Sequence, residues 1–384
     1  MGVYLDYNAT TPIDDRVLER MVYVYKHYYG NADSRTHDYG EASRKVVVEA
    51  RNDVANMLGV DSSEVFFTSG ATESSNIAIL GLEEFASQTG RKHIITTTIE
   101  HKAVLETIKH LEKKGFDVDY VDPEENGRVS VEKVKSLLRE ETLLVSIMHV
   151  NNETGIIQPV KEIGEILNGT DIFFHTDATQ SCGKLIDEIR DMKYDLLSAS
   201  AHKFYGPQGI GILVMRKKSY KYPPVKSIMY GGQQEHGLRP GTTPVALVAG
   251  LGYSCRLACE EYKIQKQKNK MIKSVILSLL ANSGLKYVIN GDQNYCVDNT
   301  INFSISGVES EALMLLTKNY CGISNGSACT SHSYSPSYVL RAMKIDDSRI
   351  NESIRVSWGE KSQIDAVTDS FERLLEIAKG LCVL

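Results

Sequence analysis

Between about residues 64 and 215, short apolar segments alternate with stretches of helical period. The apolar segments are rich in Val, Ile and Phe and predict strands at 64–67, 93–98, 117–121, 142–150 and 171–177. Helices are predicted between them, one ending at Gly115 and others near 131–138 and 161–167. Buried strands separated by helices indicate a parallel sheet with helices on both faces.

The pattern changes after about residue 250. A long, charged helical stretch (255–280) leads into a second region, where N-T-I-N-F-S-I (299–305) and S-I-R-V-S-W (353–358) alternate polar and apolar residues. Such alternation is typical of half-buried antiparallel strands. The sequence therefore predicts two α/β units, the larger one first.

Composition narrows the class of protein. The chain has 384 residues, 42% hydrophobic and 24% charged, with a net charge of −6, so we expect no direct nucleic-acid binding and no anionic membrane partner. It contains no apolar run long enough to span a bilayer and no secretory signal at its start. The seven cysteines are scattered and odd in number, which argues against a disulfide framework and a zinc site. These features predict a cytoplasmic protein with reduced thiols.

Lys203 lies in a short turn between two predicted strands, in S-A-S-A-H-K-F-Y-G-P-Q-G (198–209). A desolvated lysine has a lowered pKa and forms a Schiff base with a carbonyl compound. Ser200 and His202 beside it are suited to hydrogen-bond a phosphate. A solvated surface lysine is the alternative.

Two further polar residues follow predicted strands. Asp177 ends a buried strand in H-T-D-A-T-Q, where ligands of open parallel sheets bind, and it would either cap a helix or pair with a protonated ring nitrogen. His101, in I-E-H-K-A-V, is either a hydrogen-bonded structural residue or part of the same site.

The segment T-S-G-A-T-E-S-S-N (68–76) joins a strand to a helix through a turn of small residues. The free N–H groups and the dipole of a helix start bind phosphate. An ordinary helix start capped by Thr72 is the alternative. Taken together, a phosphate-binding turn, a histidine, an acid and an imine-forming lysine occur in order along one sheet, which favours a pyridoxal 5'-phosphate enzyme.

A cysteine in an unusual context adds to this picture. Cys329 lies among small polar residues in S-N-G-S-A-C-T-S-H (324–332), which predicts a pliable surface loop before a helix starting near Pro336. Free cysteines are usually buried, so an exposed loop position points to reactivity. The alternative is an ordinary exposed cysteine.

Several short motifs in a fixed order resemble the NifS/IscS-type cysteine desulfurases of the class V aminotransferase family over nearly the whole chain. They are Y-L-D-Y-N-A-T-T-P, T-S-G-A-T-E-S, I-E-H-K-A-V, I-M-H-V-N-N-E-T-G, H-T-D-A-T-Q-S, S-A-S-A-H-K-F-Y-G-P-Q-G-I-G, G-G-Q-Q-E-H-G-L-R-P-G-T and G-S-A-C-T-S. The resemblance implies a fold type I pyridoxal phosphate homodimer that takes sulfur from L-cysteine and leaves L-alanine. It also implies a large domain (16–252) with a mainly parallel seven-stranded sheet, and a small α/β domain (1–15 and 253–384) carrying the cysteine loop at about 324–335.

The resemblance assigns roles to residues of this chain. Lys203 would hold the cofactor as an imine, Asp177 would keep its ring nitrogen protonated, and His101 would stack on the ring and assist proton movement. Asn152 and Gln180 would contact the phenolic oxygen side of the ring and the bound substrate, and Arg355 would clamp the substrate carboxylate. The phosphate would be bound by Ala71, Thr72, Ser200 and His202, with Thr242 reaching in from the other subunit.

Cys329 would attack the substrate sulfur, become a persulfide and pass the sulfur to a protein acceptor. Its thiol needs help to ionise, and His101 and His332 are the candidates. The C-terminus ends at G-L-C-V-L, shorter than in the iron–sulfur assembly members, so the acceptor is left open between iron–sulfur cluster assembly and tRNA or DNA thiolation. The alternatives are a selenocysteine lyase, another enzyme of this fold, or a non-catalytic scaffold.

Overall fold

A computed structural model describes residues 2–326 and 336–382. Cys329 and His332 therefore lie outside the described residues. Through the first part of these ranges the helices and strands are β1 (Val3–Tyr4), α1 (Asp15–His27), α2 (Asp38–Leu58), β2 (Val65–Thr68), α3 (Ala71–Leu80), α4 (Glu83–Thr89), β3 (His93–Thr97), α5 (Lys102–Glu112), β4 (Asp117–Val121), α6 (Val131–Leu137), β5 (Thr142–Ser146), α7 (Val160–Leu167), β6 (Phe173–Asp177), α8 (Ile186–Asp191), β7 (Leu196–Ser200) and β8 (Gly211–Met215). The remaining elements are α9 (Val245–Asn282), β9 (Tyr287–Ile289), β10 (Thr300–Ile305), α10 (Ser310–Thr317), β11 (Cys321–Gly322), α11 (Tyr338–Ala342), α12 (Asp347–Asn351), β12 (Ser353–Ser357) and α13 (Ile364–Cys382).

The larger unit is built on a seven-stranded sheet of order β2-β8-β7-β6-β5-β3-β4. The strands are parallel except β8, which runs antiparallel to both of its neighbours. The consecutive residues Phe66 and Phe67 are both buried and belong to different hydrophobic clusters, because helices cover both faces of the sheet. The predicted α/β class and the mainly parallel seven-stranded sheet are confirmed.

The smaller unit is a three-stranded antiparallel sheet of order β12-β10-β9, with the short parallel pair of β1 and β11 nearby. Trp358, Phe303 and Phe371 are fully buried in its core. The long helix α9 packs its first half on the large core and Ile272, Ile276 and Leu280 on the small one. The helix continues without a break across residue 252, where the large domain was predicted to end. The predicted domain boundaries therefore stay a prediction.

The expectation of half-buried strands in the smaller unit was wrong. All residues of β10 and β12 are buried. The polar face of β10 is covered by the N-terminal segment and by the loop after β5: Thr300 donates to Asn8 Oδ1 at 3.1 Å, and Asn302 donates to the Glu153 carbonyl at 3.1 Å. This contact brings β12, which carries Arg355, against the carboxyl ends of the large sheet.

Two structural observations bear on the composition. Among the helices that the structure describes, none combines the length and the apolar character needed to cross a membrane. The cysteines at 182, 255, 259, 296, 321 and 382, which lie within the described ranges, form no disulfide.

Candidate active site

A cavity of about 550 Å³ lies where the large sheet meets the smaller unit. Its size is that of a small-molecule site. The predicted site residues that line it are Ala71, Thr72, His101, Asn152, Asp177, Gln180, Ser200, His202, Lys203 and Arg355. Thr242, in contrast, is exposed and does not line the cavity. Gly326 does line the cavity, and it is the last described residue before the segment that contains Cys329.

One end of the cavity is the turn between β2 and α3. The cap residue of α3 is Gly70, not Thr72 as in the alternative considered above, and no side chain of the described residues makes a capping hydrogen bond to this helix. Gly211 of β8 lies directly beneath the turn, because a Cβ built there would be 2.5 Å from Gly70 Cα. Helix α3 therefore presents the N–H groups of its first turn and the positive end of its dipole to the cavity, as phosphate sites do.

His202 also lines the cavity. Burial, and then the positive charges of Lys203 and Lys184, lower the pKa of His202 to about 4. Its Nδ1 is 3.1 Å from Thr10 Oγ1. At neutral pH the imidazole is uncharged, so it contributes a hydrogen-bonding group rather than a charge.

Lys203 closes a single 3₁₀ turn, Ala201–Lys203, directly after β7. Its Nζ donates to the carbonyl oxygens of Asn8 and Ala9, each at 2.7 Å. The amine is thus held by an N-terminal segment that is distant in sequence. The alternative of a solvated surface lysine does not describe this geometry.

Lys184 was missed by the sequence reasoning. Burial, followed by the charge of Lys203, lowers the pKa of Lys184 to about 7, and its Nζ lies 3.4 Å from Gln180 Oε1. Gln180 in turn donates from Nε2 to the Asn8 carbonyl at 2.9 Å. Lys184 therefore fixes which way the Gln180 amide faces. No local signal marked Lys184, because its burial depends on residues that pack around it from elsewhere in the chain.

Asp177 and His101 each make a hydrogen bond to the backbone and also line the cavity. Asp177 is 5% exposed, and its Oδ1 accepts the Thr179 N–H at 2.9 Å, so it caps a turn and not a helix. His101 is the cap residue of α5, with Nδ1 accepting the Ala103 N–H at 3.1 Å. That bond leaves Nε2 to carry the proton of the neutral ring.

Arg355 supplies a positive charge to the cavity from β12. It is 3% exposed, donates from Nη1 to the Asn152 carbonyl at 2.9 Å and pairs through Nη2 with Asp6 Oδ1 at 2.5 Å. Within the described residues, Arg355 Nε and Asn152 Oδ1 are buried without a hydrogen-bond partner. Buried polar atoms without partners at a cavity indicate a polar ligand.

The arrangement fits pyridoxal 5'-phosphate. The unpartnered start of α3 and the neutral His202 suit its phosphate, Asp177 suits its ring nitrogen and Lys203 suits its aldehyde. The buried, unpartnered Asn152 Oδ1 supplies a further polar contact. The remaining guanidinium donors of Arg355 suit a substrate carboxylate.

Comparisons with known proteins agree with this geometry. Residues 3–368 match the aminotransferase class-V family. The cysteine desulfurase IscS of Vibrio cholerae is 43% identical over 98% of this chain and 93% of its own length. A solved NifS-like protein superposes with a TM-score of 0.91 at 37% identity, covering 99% of this chain and 100% of its own. A structure of SspA in complex with cysteine superposes with a TM-score of 0.81 at 36% identity, covering 92% and 98%. The chain therefore belongs to the class-V aminotransferase family and, within it, to the cysteine desulfurases of the NifS/IscS type.

Proposed function

We propose that this chain is a pyridoxal phosphate-dependent enzyme that removes sulfur from L-cysteine, releases L-alanine and carries the sulfur as a persulfide on Cys329. The observation that carries the proposal is the convergence of Lys203, Asp177, Arg355 and the uncapped start of α3 on one cavity. The segment containing Cys329 begins beside that cavity, at Gly326. The family membership and the cysteine-bound relative support the same substrate.

The cofactor, when bound, withdraws electrons from the substrate and weakens its bonds near the amino group. Arg355 binds the substrate carboxylate and Asn152 contacts the substrate beside it. Asp177 would hold a proton at the ring nitrogen, and His101 would lie against the ring and move protons near the reacting carbon. Lys203 would hold the cofactor through its Nζ.

The sulfur step is balanced without an external oxidant. The Cys329 sulfur forms a bond to the substrate sulfur as the carbon–sulfur bond of cysteine breaks. The proton lost by the Cys329 thiol is matched by the proton that the alanine methyl group gains. The products are alanine and the Cys329 persulfide, and a thiol reductant then releases the outer sulfur as sulfide.

The test is to give the purified holoenzyme L-cysteine and a thiol reductant and to quantify alanine and sulfide. Cys329→Ala is compared with the control Cys382→Ala, which replaces an exposed cysteine near the end of α13. We expect equal amounts of alanine and sulfide from the parent and from Cys382→Ala, and neither from Cys329→Ala with its cofactor absorbance intact. If Cys329→Ala still makes both products, Cys329 is not the nucleophile. If the cofactor-bound parent makes neither, the cysteine reaction is wrong and selenocysteine is tested next.

The active form is proposed to be a homodimer. Thr242 is exposed and outside the cavity of its own chain, which suits the predicted role of completing the partner's phosphate site. Tyr230, in the segment that precedes it, is 97% exposed, as a residue that is covered in a dimer would be in the single chain. Light scattering gives the mass of the particle, and Thr242→Ala is expected to weaken cofactor binding only if the dimer forms.

The acceptor and the compartment complete the proposal. The persulfide passes to a protein acceptor in the cytoplasm, belonging either to iron–sulfur cluster assembly or to tRNA or DNA thiolation. The cysteine desulfurase names of the similar Vibrio cholerae and Dictyostelium discoideum proteins support the role of a sulfur donor. Incubating the labelled persulfide form with candidate scaffold and thiolation proteins, and following the label, distinguishes the two acceptor classes.

A further inference from the structure

Glu153 is a buried acid next to the active site that has no role in the function described above. It follows Asn152 in the loop after β5 and is 2% exposed. Its backbone is held at both ends: its N–H donates to Asn151 Oδ1 at 2.9 Å, and its carbonyl accepts from Asn302 Nδ2 at 3.1 Å. The side chain therefore projects from a fixed point between the two units.

The carboxyl group of Glu153 contacts two places that are distant from it in sequence. Ser337 donates its hydroxyl to Glu153 Oε2 and also accepts the Leu340 N–H at 3.0 Å, so the same hydroxyl caps α11. At Gly326, a Cβ would lie 2.8 Å from Glu153 Oε2, and the backbone φ of +88° favours glycine there. One carboxyl group thus touches the described residues near both ends of residues 327–335.

The Gly326 end is connected to the substrate-binding arginine. Gly326 donates its N–H to Ser324 Oγ at 3.1 Å, and the backbones of Ser324 and Arg355 exchange two hydrogen bonds of 3.2 and 2.5 Å. A shift of Gly326 is therefore resisted by β12. Cys329 follows Gly326 by three residues, which limits the separation of their Cα atoms to about 10 Å. Gly326, the described residue from which this reach is measured, lies at the cavity edge.

We propose that Glu153 is a positioning residue for sulfur transfer, which holds Gly326 and Ser337 in place and so confines Cys329 to the neighbourhood of the bound substrate. The inference rests on the proposed function, because it assumes that Cys329 is the sulfur acceptor. It assigns to Glu153 no contact with cofactor or substrate. It also explains why an acid is buried here, where an unpaired carboxylate would be costly.

Protonation of Glu153 adjusts this contact near neutral pH. Burial raises the pKa of Glu153 to about 7, opposed by the Ser337 hydrogen bond and then by the positive charges of Arg355 and Lys102. The ionised carboxylate makes the stronger bond to the Ser337 hydroxyl. We therefore expect positioning to strengthen as pH rises through about 7.

The test compares Glu153→Ala, Glu153→Gln and Ser337→Ala with Glu140→Ala, a control at an exposed turn. In the holoenzyme, alanine formation gives kcat and KM for cysteine, and the cofactor absorbance reports substrate binding. We expect Glu153→Ala to lower kcat by roughly 10- to 100-fold, the scale of a 1 Å misplacement, with KM and the absorbance change on adding cysteine preserved. Glu153→Gln keeps an amide oxygen for Ser337, so it recovers most of kcat but loses the part of the pH profile centred near 7.

The coupling of the two residues is a second result. The double variant of Glu153→Ala and Ser337→Ala is expected to lose less than the sum of the two single losses, because the hydrogen bond between the two side chains is removed in each of them. Additive losses in the double variant, or a rise in KM with kcat unchanged, would overturn the proposal. So would a Glu153→Gln enzyme with the parent's pH profile.

A measurement that needs no turnover separates this inference from the proposed function. The alkylation rate of Cys329 in the holoenzyme is followed by mass spectrometry, with Cys382 as the internal reference. We expect Glu153→Ala to alkylate faster at Cys329 and at the parent rate at Cys382, and equal Cys329 rates would overturn the inference. A parent enzyme that makes no alanine refutes the proposed function, while the alkylation rates still decide the role of Glu153.

Discussion

Glu100 is fully buried between β3 and α5, and replacing it with glutamine tests the electrostatics beneath the active site. Its Oε1 accepts hydrogen bonds from Thr97 Oγ1 and from the Met148 N–H, each at 2.8 Å. Its Oε2 is buried and has no hydrogen-bond partner within the described residues. Burial, and to a lesser degree the negative charge of Asp177, raises the pKa of Glu100 from 4.5 to about 8. The folded protein therefore keeps Glu100 protonated at neutral pH.

The sign of the stability effect follows from proton linkage. Below about pH 4.5 Glu100 is protonated in both the folded and the unfolded chain. The free energy of unfolding then includes the full contribution of this group. Between about pH 4.5 and 8 only the folded state keeps the proton, so the free energy of unfolding falls as pH rises. The 3.5 units between the two pKa values correspond to about 5 kcal/mol in total, of which about 4 kcal/mol falls between pH 5 and pH 9.

Glu100→Gln keeps the size of the side chain and an oxygen for Thr97 and Met148, but it does not titrate. The assay is urea unfolding at a series of pH values with cofactor at constant excess, followed by the fluorescence of Trp358, the single tryptophan, which is fully buried. We expect the stability of Glu100→Gln relative to the parent to rise by about 4 kcal/mol from pH 5 to pH 9. Glu153 titrates in both proteins, so its contribution cancels in the difference.

Glu372→Gln is the matched control, because Glu372 lies on an exposed position of α13. Its unfolding curves are expected to follow the parent at every pH. The reasoning is refuted if Glu100→Gln also follows the parent across this range, since Glu100 would then be ionised in the folded protein or carry no burial cost.

Three further predictions concern the cofactor, the substrate and a helix. Gly211→Ala places a Cβ 2.5 Å from Gly70 Cα, and overpacking of about 1–3 kcal/mol should weaken cofactor binding roughly 10- to 100-fold in a dissociation assay. Arg355→Lys removes two-pronged binding of the substrate carboxylate, so KM for cysteine should rise about tenfold while kcat changes less; an unchanged KM contradicts the role. The Cβ added by Gly380→Ala, near the end of α13, meets no atom of the described residues within 4 Å. The variant should stabilise the protein by about 0.5 kcal/mol in urea unfolding, and a loss of stability would contradict this.

Local sequence pattern predicted the elements that depend on local chemistry. The Val-, Ile- and Phe-rich segments that predicted strands correspond to β2 to β6, because apolar runs between helices must be buried in a sheet whatever their partners are. The strand predicted at 142–150 is shorter in the structure, where β5 ends at Ser146. The residues beyond it form the loop that carries Asn152 and Glu153, and its buried apolar residues were indistinguishable from a strand in the sequence.

Burial of polar groups was the least predictable property. The alternation of β10 correctly indicated a strand, but its polar face is buried because it meets hydrogen-bonding partners at Asn8 and Glu153, which are distant in sequence. Likewise, Gly70 and not Thr72 caps α3, since the turn must pass close over Gly211 of a strand about 140 residues later. The contacts of β10 and the approach of Gly211 to Gly70 both join distant segments, so a short stretch of sequence does not predict them.

The sequence by itself determined the fold class, the family, and the residue types of the site, because periodicity and short motifs are local properties of the chain. The tertiary structure decided which groups meet: Lys203 with the carbonyls of Asn8 and Ala9, Arg355 with Asp6, and Glu153 with Gly326 and Ser337. It also decided which acids and amines are desolvated, as in the raised pKa of Glu100 and the lowered pKa of Lys184. Both depend on distances between segments far apart in the chain, and desolvation depends on everything packed around a group, which no single stretch of sequence contains.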